Sequence, residues 1–277
     1  MQDLLHTLVF SLISGFAEFI FTPVSAHQLL YSILTDTQLD SQTLRLAIHI
    51  GSLVALLLHC SNRLKALRAE KRLSNAHRRR HNRQADPASV MDMRIINTAA
   101  VPAILSLLIP TGVLKRFLNP GWITLFLLAY GVILFIPSVI RAGNKNARSY
   151  TMLDGLLMGL AGVFGIIPGI GRLGCMHTMG LIRGADRNYA LDLSLLISIP
   201  VLIASACVDA YGVALTAVSP TGLQILGYIL ASIASFGGGY LSILLLRVLC
   251  RRSNTSFFAY YNWGLAAFMF LLYLIIY

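Results

Sequence analysis

Charge is what this chain has least of. Only 12% of its 277 residues are charged and just 11 are Asp or Glu, whereas an ordinary soluble domain is about 25% charged. That shortage excludes a water-solvated globule. Cysteine is scarce as well. Cys60, Cys175, Cys207 and Cys250 form no C-x-x-C spacing and no ladder with histidines, so neither a disulfide framework nor a zinc site is expected and they read as small apolar packing residues. The first apolar stretch lacks a basic leader and already carries Glu18, so no separate cleavable signal is expected. The run Gly237-Gly238-Gly239 has no Lys-Ser/Thr after it; close helix packing explains it better than a phosphate loop. The short alternating segments of a β-barrel are missing too.

What fills the chain instead is apolar residue, 56% of the total, with a mean hydropathy of +0.72. The expectation is an all-α polytopic membrane protein. Stretches at 44–60, 95–112, 121–141, 190–215, 222–249 and 256–277 are long enough, or nearly so, for the roughly 17–25 residues that a spanning helix needs. Two further stretches, 4–34 and 151–185, are too long for one helix and are interrupted by Gly, Pro and ionisable groups. They read as re-entrant helix pairs sheltered by protein.

Basic residues test the topology. Of the 22 Lys and Arg, ten lie between Arg63 and Arg94, three in 141–150, two at Arg183 and Arg187, and three in 247–252. Placing those regions inside puts 18 of the 22 on the cytoplasmic face, as the positive-inside rule favours. Both termini and the Asp36–Asp40 loop then fall outside. The order becomes one re-entrant pair plus three spans, repeated in opposite orientation: a single membrane domain, 1–277, with a first repeat at 1–141 and a second, inverted repeat at 151–277. The net charge of +11 and His77-Arg78-Arg79-Arg80-His81 do not call for nucleic acid. Between two spans, the basic segment 63–94 reads as an anchor to anionic lipid. Within it, 64–83 reads as a surface helix and 82–92, with Asp86-Pro87, as a loop.

The two interruptions hold the chemistry. An ionisable group at the bilayer centre costs at least ~2.5–3.5 kcal/mol, so it is retained for a task. Glu18 is the carboxylate of the first break, suited to a hard cation or to base work. Ser25 is either an N-cap or a hydroxyl nucleophile, with His27 nearby as base or acid. In the second break, Pro168-Gly169-Ile170-Gly171-Arg172 offers glycine-freed N–H groups, a helix start and a guanidinium, a set that suits phosphate. Weaker candidates are His49, Ser52, His177, Thr178 and Asp192. Asp192 reads either as facing Arg172 or as capping a helix that begins near Tyr189. Paired breaks in opposed halves point to a site where the repeats meet, and the groups they carry suit a phosphorylated lipid headgroup.

These residues resemble a known family, the undecaprenyl-pyrophosphate phosphatases of the bacitracin-resistance type, nearly end to end. Glu18-Phe19 followed by Pro23-Val24-Ser25 and His27 is similar to the family's E-F-L-P-V-S-S-T-G-H. Ala47-Ile48-His49-Ile50-Gly51-Ser52 resembles I-Q-L-G-S, and Pro168-Gly169-Ile170-Gly171-Arg172-Leu173-Gly174 resembles P-G-x-S-R-S-G. Asp192, Ser194 and Pro200 fall on its E-F-S-F-L-L-x-x-P stretch, and Phe258-Ala259-Tyr260-Tyr261 on F-x-x-Y-R.

The resemblance implies dephosphorylation of a C55 polyprenyl pyrophosphate at the periplasmic face of a bacterial inner membrane, recycling the lipid carrier for peptidoglycan synthesis. It also implies dependence on Mg²⁺ or Ca²⁺, and a homodimer is a further expectation. Glu18 would bind metal, with Asp192 as a second candidate ligand. Ser25 or His27 would attack the terminal phosphorus and Arg172 would clamp the pyrophosphate. Gly169, Gly171, Thr178, His49 and Ser52 would help to bind substrate. The chain departs from the pattern at Ser14, where the family's E-x-x-x-E has its first Glu, and at Gly171 and Leu173, where it has serines. His49 replaces a Gln, and the Thr-Gly before the histidine is missing. The alternative reading is a polyprenyl-phosphate flippase, or a non-catalytic lipid-phosphate binder, on the same fold.

Overall fold

Proline decides where the first long apolar stretch breaks. Helix α1 (Gln2–Glu18) stops before Thr22-Pro23, since the residue before a proline is pushed out of helical geometry. Pro23, extended at φ −80° and ψ 129°, then opens α2 (Val24–Thr35). The second stretch breaks differently. Helix α7 (Met152–Val163) is started by a reciprocal capping box between Thr151 and Asp154 and tightens into a 3₁₀ turn over Phe164–Ile166. The chain then turns through Gly169 at φ +93°, a conformation glycine adopts without a Cβ penalty, into α8 (Arg172–Ile182).

The remaining helices are α3 (Gln42–His77), α4 (Pro87–Leu105), a short α5 (Thr111–Lys115), α6 (Pro120–Val139), α9 (Arg187–Thr216), α10 (Gly222–Arg252) and α11 (Ser256–Ile276). The computed structural model describes residues 2–37, 39, 41–77, 87–109, 111–140, 143–216, 221–252 and 255–276; among them every regular element is helical. Among the described residues five helices, α3, α6, α9, α10 and α11, are long and apolar enough to cross a membrane.

Three boundaries differ from the sequence reading. The expected span 44–60 and surface helix 64–83 are one continuous α3 as far as His77, because no helix breaker separates the apolar half from the basic half. Residues 78–83, including Arg78 to Arg80, lie outside the described residues, as do residues 82–86 of the expected loop. The rest of that loop, from Pro87, is the first turns of α4, since proline suits a helix start. The fourth helix thus begins eight residues before the expected 95–112 and carries Asp92 and Arg94 in its first half. It is not among the five long apolar helices.

Packing partners exchange between the halves. Helix α1 packs on α10 as α7 packs on α4, α3 packs on α10 as α9 packs on α4, and α3 with α9 and α6 with α11 pair across the middle. Small residues allow these approaches. Gly15 and Gly51 lie against the α10 backbone at Ser235 and Ser232, Gly238 against Leu12, and Gly159 against Ala99 of α4. Ser232 and Ser235 hydroxyls donate to the Ala47 and Ile48 carbonyls at 2.8 and 2.9 Å, so α10 is stitched to α3 by polar bonds as well.

One end of the bundle gathers the basic segments. Arg63 of α3 pairs with buried Asp92 of α4, which also accepts from the Tyr189 hydroxyl of α9 at 2.8 Å. The wholly buried Asp154 takes Arg183 at 2.7 Å and Lys145 at 3.3 Å. Burial alone would raise the Asp154 carboxyl, but hydrogen bonds from Thr151, Arg183 and Lys145 outweigh it and bring it down to about 2.

Candidate active site

The two breaks meet, and a cavity of about 240 Å³ lies between them, lined from α1–α2 by Glu18, Thr22, Ser25 and Gln28 and from α7–α8 by residues 165–168 and 170–173. Helices α3 and α9 close it with Arg45, Ile48, His49 and Ser205. Backbone groups freed by the breaks are held locally. The Thr22 N–H donates to the Ile20 carbonyl at 2.7 Å and the Ile170 N–H to Ile167 at 3.1 Å. Buried Asn262 of α11 donates its amide to the Phe21 carbonyl at 3.0 Å. Such internal satisfaction is what irregular backbone at membrane depth requires.

Two bonds cross from break to break. Arg172 Nη2 donates to Glu18 Oε1 at 2.7 Å, with side chains 19% and 16% exposed. The Gly169 N–H donates to Ser25 Oγ at 2.9 Å. The pairing matters chemically: Ser25 accepts a bond from the glycine loop and still has its own hydroxyl proton to give. Helix α8 begins at Arg172, so its positive end and a guanidinium share one wall.

The cavity accommodates most of the expected set and refuses part of it. Glu18, Ser25, Arg172, Gly171 and His49 line it, and Gly169 stands behind Ser25. Ser25 is not an N-cap: Pro23 holds that position and Ser25 lies in the first turn of α2. His27 does not line the cavity. It sits two residues after Ser25 on a helix and therefore points elsewhere. The Pro23 carbonyl accepts from its Nδ1–H at 2.9 Å, which leaves Nε2 to accept from the Tyr261 hydroxyl at 2.8 Å. Both ring nitrogens are thus engaged. Ser52 is fully buried and bonded to Ser235 at 2.9 Å, in the α3–α10 contact. Thr178 and His177 are buried within α8, His177 stacked on Phe21.

Asp192 is at the wrong end. It pairs with Arg247 at 2.7 Å, and Arg247 also donates to His59 at 2.6 Å. Nor does it cap α9: Asp186 does, accepting from the Asn188 and Tyr189 N–H groups. Three residues that the sequence reading passed over take its place. Asp209, seventeen residues on and so about 25 Å along the same helix, accepts from His49 Nδ1 at 2.7 Å and from Arg45 Nε at 3.5 Å. Gln28 lines the cavity and donates to Ser14 Oγ at 3.0 Å. The rule that singled out Glu18, an ionisable group inside an apolar span, applies equally to Asp209.

The missing serines have a structural explanation on one side. A side chain at Gly171 or Gly174 would run into the Tyr130 hydroxyl of α6. Gly171, the N-cap of α8, has no capping side chain, and the Tyr130 ring and hydroxyl fill the space beside it. Nothing in the structure explains Leu173, which is buried in the core.

Glu18 is the one carboxylate lining the cavity. Mg²⁺ is commonly held by one or two carboxylates together with substrate phosphates, so the donor set fits a cation that arrives with a phosphate ligand rather than one caged by protein. No group of three or more His, Cys, Asp or Glu gathers to hold a metal among the described residues.

Comparison with known proteins agrees along the chain. A family model described as bacitracin resistance protein BacA matches residues 7–268. Similar curated proteins named undecaprenyl-diphosphatase include those of Carboxydothermus hydrogenoformans, 23% identical with 93% of each chain covered, and Thermodesulfovibrio yellowstonii, 26% identical over 99% of this chain and 98% of the relative. The protein of Nocardioides sp. is 28% identical over 94% of this chain and 93% of its own length.

Proposed function

Because the chain belongs to the BacA bacitracin-resistance family, we infer that it is an integral membrane undecaprenyl-diphosphatase. It hydrolyses the lipid pyrophosphate to the monophosphate and inorganic phosphate. The observation that carries this reading is the meeting of Glu18 and Ser25 of one break with Arg172 and Gly169 of the other around one cavity.

The exchange of packing partners between the halves supports an inverted repeat, with α1–α2 and α7–α8 as re-entrant pairs and α3, α4, α6, α9, α10 and α11 as six spans. The gathering of Arg63, Lys145, Arg183 and Arg247 in ion pairs away from the cavity supports a cytoplasmic basic end bound to anionic lipid along 63–94. The cavity then opens toward the outer face of the inner membrane, with both termini outside. Association as a homodimer belongs to the same reading.

In the resting site Arg172 is neutralised by Glu18. A pyrophosphate carries more charge than one carboxylate and presents paired oxygens to the planar guanidinium, so it displaces Glu18 and takes the bidentate contact. Glu18, released, would hold a divalent cation together with the phosphate oxygens, where the ion offsets charge on the transferring phosphoryl group. The Ser25 Oγ, lined up by the Gly169 N–H, bonds to the terminal phosphorus. The bridging P–O bond breaks and its electron pair leaves with the lipid monophosphate. The serine proton passes to a base on the cavity wall. Water then cleaves the phosphoserine, returning the hydroxyl and releasing inorganic phosphate. Arg172 and the start of α8 face the charge that develops throughout.

The test is phosphate release from C55 pyrophosphate by detergent-purified protein with Mg²⁺, Ca²⁺ or chelator, beside Arg172→Ala. Metal-dependent release lost in the variant is the expected result. Lipid-phosphate movement across liposomes that survives Ser25→Ala and Glu18→Ala would replace this reading with a transporter.

A further inference from the structure

The mechanism needs a proton acceptor, and the cavity wall offers few. Glu18 pairs with Arg172 at 2.7 Å in the resting site, and once pyrophosphate displaces it the carboxylate is committed to the divalent cation. His27 has both ring nitrogens bonded and lies off the cavity. His49 differs from both. Its Nδ1 is bonded to Asp209 Oδ2 at 2.7 Å, and a carboxylate only accepts, so the ring proton sits on Nδ1. Nε2 then carries the lone pair and has no hydrogen-bond partner among the described residues. Asp209, only 12% exposed, does not line the cavity, whereas His49 does. The ring therefore stands between a carboxylate behind it and the reaction space in front.

We propose that His49, oriented by Asp209, is the general base of this chain: its Nε2 takes the proton from the attacking Ser25 hydroxyl as the Oγ–P bond forms and the bridging P–O bond breaks. The same nitrogen then accepts a proton from the water that attacks phosphoserine, after the first proton has left with solvent. Asp209 is a positioning residue; it fixes the tautomer and steadies the imidazolium. Arg45, one helical turn from His49, bonds the other oxygen of Asp209 at 3.5 Å and holds the carboxylate against rotation. The charged groups facing His49 are thus Asp209 of α9, Arg45 of its own helix, and Glu18 and Arg172 across the cavity. This inference rests on the hydrolase reading and adds the base to it.

The experiment is the pH profile of kcat and kcat/KM for phosphate release from C55 pyrophosphate, for wild type, His49→Gln and Asp209→Asn. Pyrophosphate binding is measured alongside by calorimetry. The expected result for His49→Gln is a fall in kcat of about 10²–10³-fold, with the acid limb of the profile lost and pyrophosphate still bound. Asp209→Asn should keep part of kcat and alter the acid limb while pyrophosphate binding is kept, because the ring loses the carboxylate that fixes its tautomer. Retained binding separates a lost base from a misfolded protein. Wild-type activity with an unchanged kcat and acid limb in His49→Gln would overturn the proposal alone. A wild type that releases no phosphate would overturn the hydrolase reading, and the base with it.

Discussion

The two breaks do the same geometric job with opposite means. The α1–α2 break contributes side chains, Glu18 and Ser25, from a backbone held within ordinary conformations by Pro23 and by Asn262 from α11. The α7–α8 break contributes a guanidinium and backbone N–H groups, and it needs Gly169 at φ +93° to present them. One supplies the anionic and nucleophilic half, the other the cationic half. Neither alone makes a phosphate site, which is why two cross-break bonds sit at its centre. The supports differ as well. Helix α7 is anchored at its start by wholly buried Asp154 with Arg183 and Lys145, whereas α1 is tied to α2 by the lighter His6–Tyr31 bond at 2.8 Å.

That contrast is open to attack by substitution. The largest effect belongs to the cationic half: Arg172→Ala should lower phosphate release by about 10³-fold, and Arg172→Lys should recover only part of it because the bidentate contact is gone. Steady-state assays of the three proteins decide this. Next comes the anchor. Asp154→Asn should destabilise the fold by about 2 kcal/mol at neutral pH, since the part-exposed Arg183 and Lys145 lose their charge-assisted bonds to the buried carboxylate. The sign against pH follows from a folded carboxyl at about 2. The wild-type contribution is present above the unfolded value near 4 and drains away as pH falls toward 2, so thermal melts of wild type and variant should converge in that window.

Smaller effects probe the glycine loop. Gly171→Ala should destabilise by about 2 kcal/mol through collision with Tyr130, and adding Tyr130→Phe should recover only part of it, because the ring carbon 2.8 Å from a Cβ at 171 stays; a double-mutant cycle in denaturation measures the coupling. Gly169→Ala should cost about 1–2 kcal/mol from the left-handed backbone, while Val24→Ala at the matching point of the first break should cost less than half as much. Melting temperatures of that pair compare the breaks directly. At the bottom of the scale, Asp192→Asn should leave phosphate release within about twofold, as befits a carboxylate at the other end of α9.

Much of this was legible in the sequence because membranes make polarity conspicuous. Glu18 and Arg172 stand out in apolar surroundings, and Pro23 and Pro168-Gly169 mark the breaks. What the sequence concealed was angular. Ser25 and His27 are two residues apart, which on a helix sends them to different faces, so proximity in sequence overstated their partnership. Asp192 and Asp209 share one helix, and only the packing of α9 against α3 and α10 tells which end meets the cavity. The α3 boundary was hidden for another reason. A helix passes from lipid into water without a breaker, so composition changes there while conformation does not.

The Tyr130 hydroxyl beside Gly171 and Gly174 carries a consequence for descent. Three positions on two helices form a locked set, in which the tyrosine is tolerated only while both others stay glycine. A side chain at 171 asks for a smaller residue at 130 as well, so two changes are needed together. Relatives with a side chain at that position should therefore have a smaller residue where this chain has Tyr130, and the two forms should separate cleanly on a family tree.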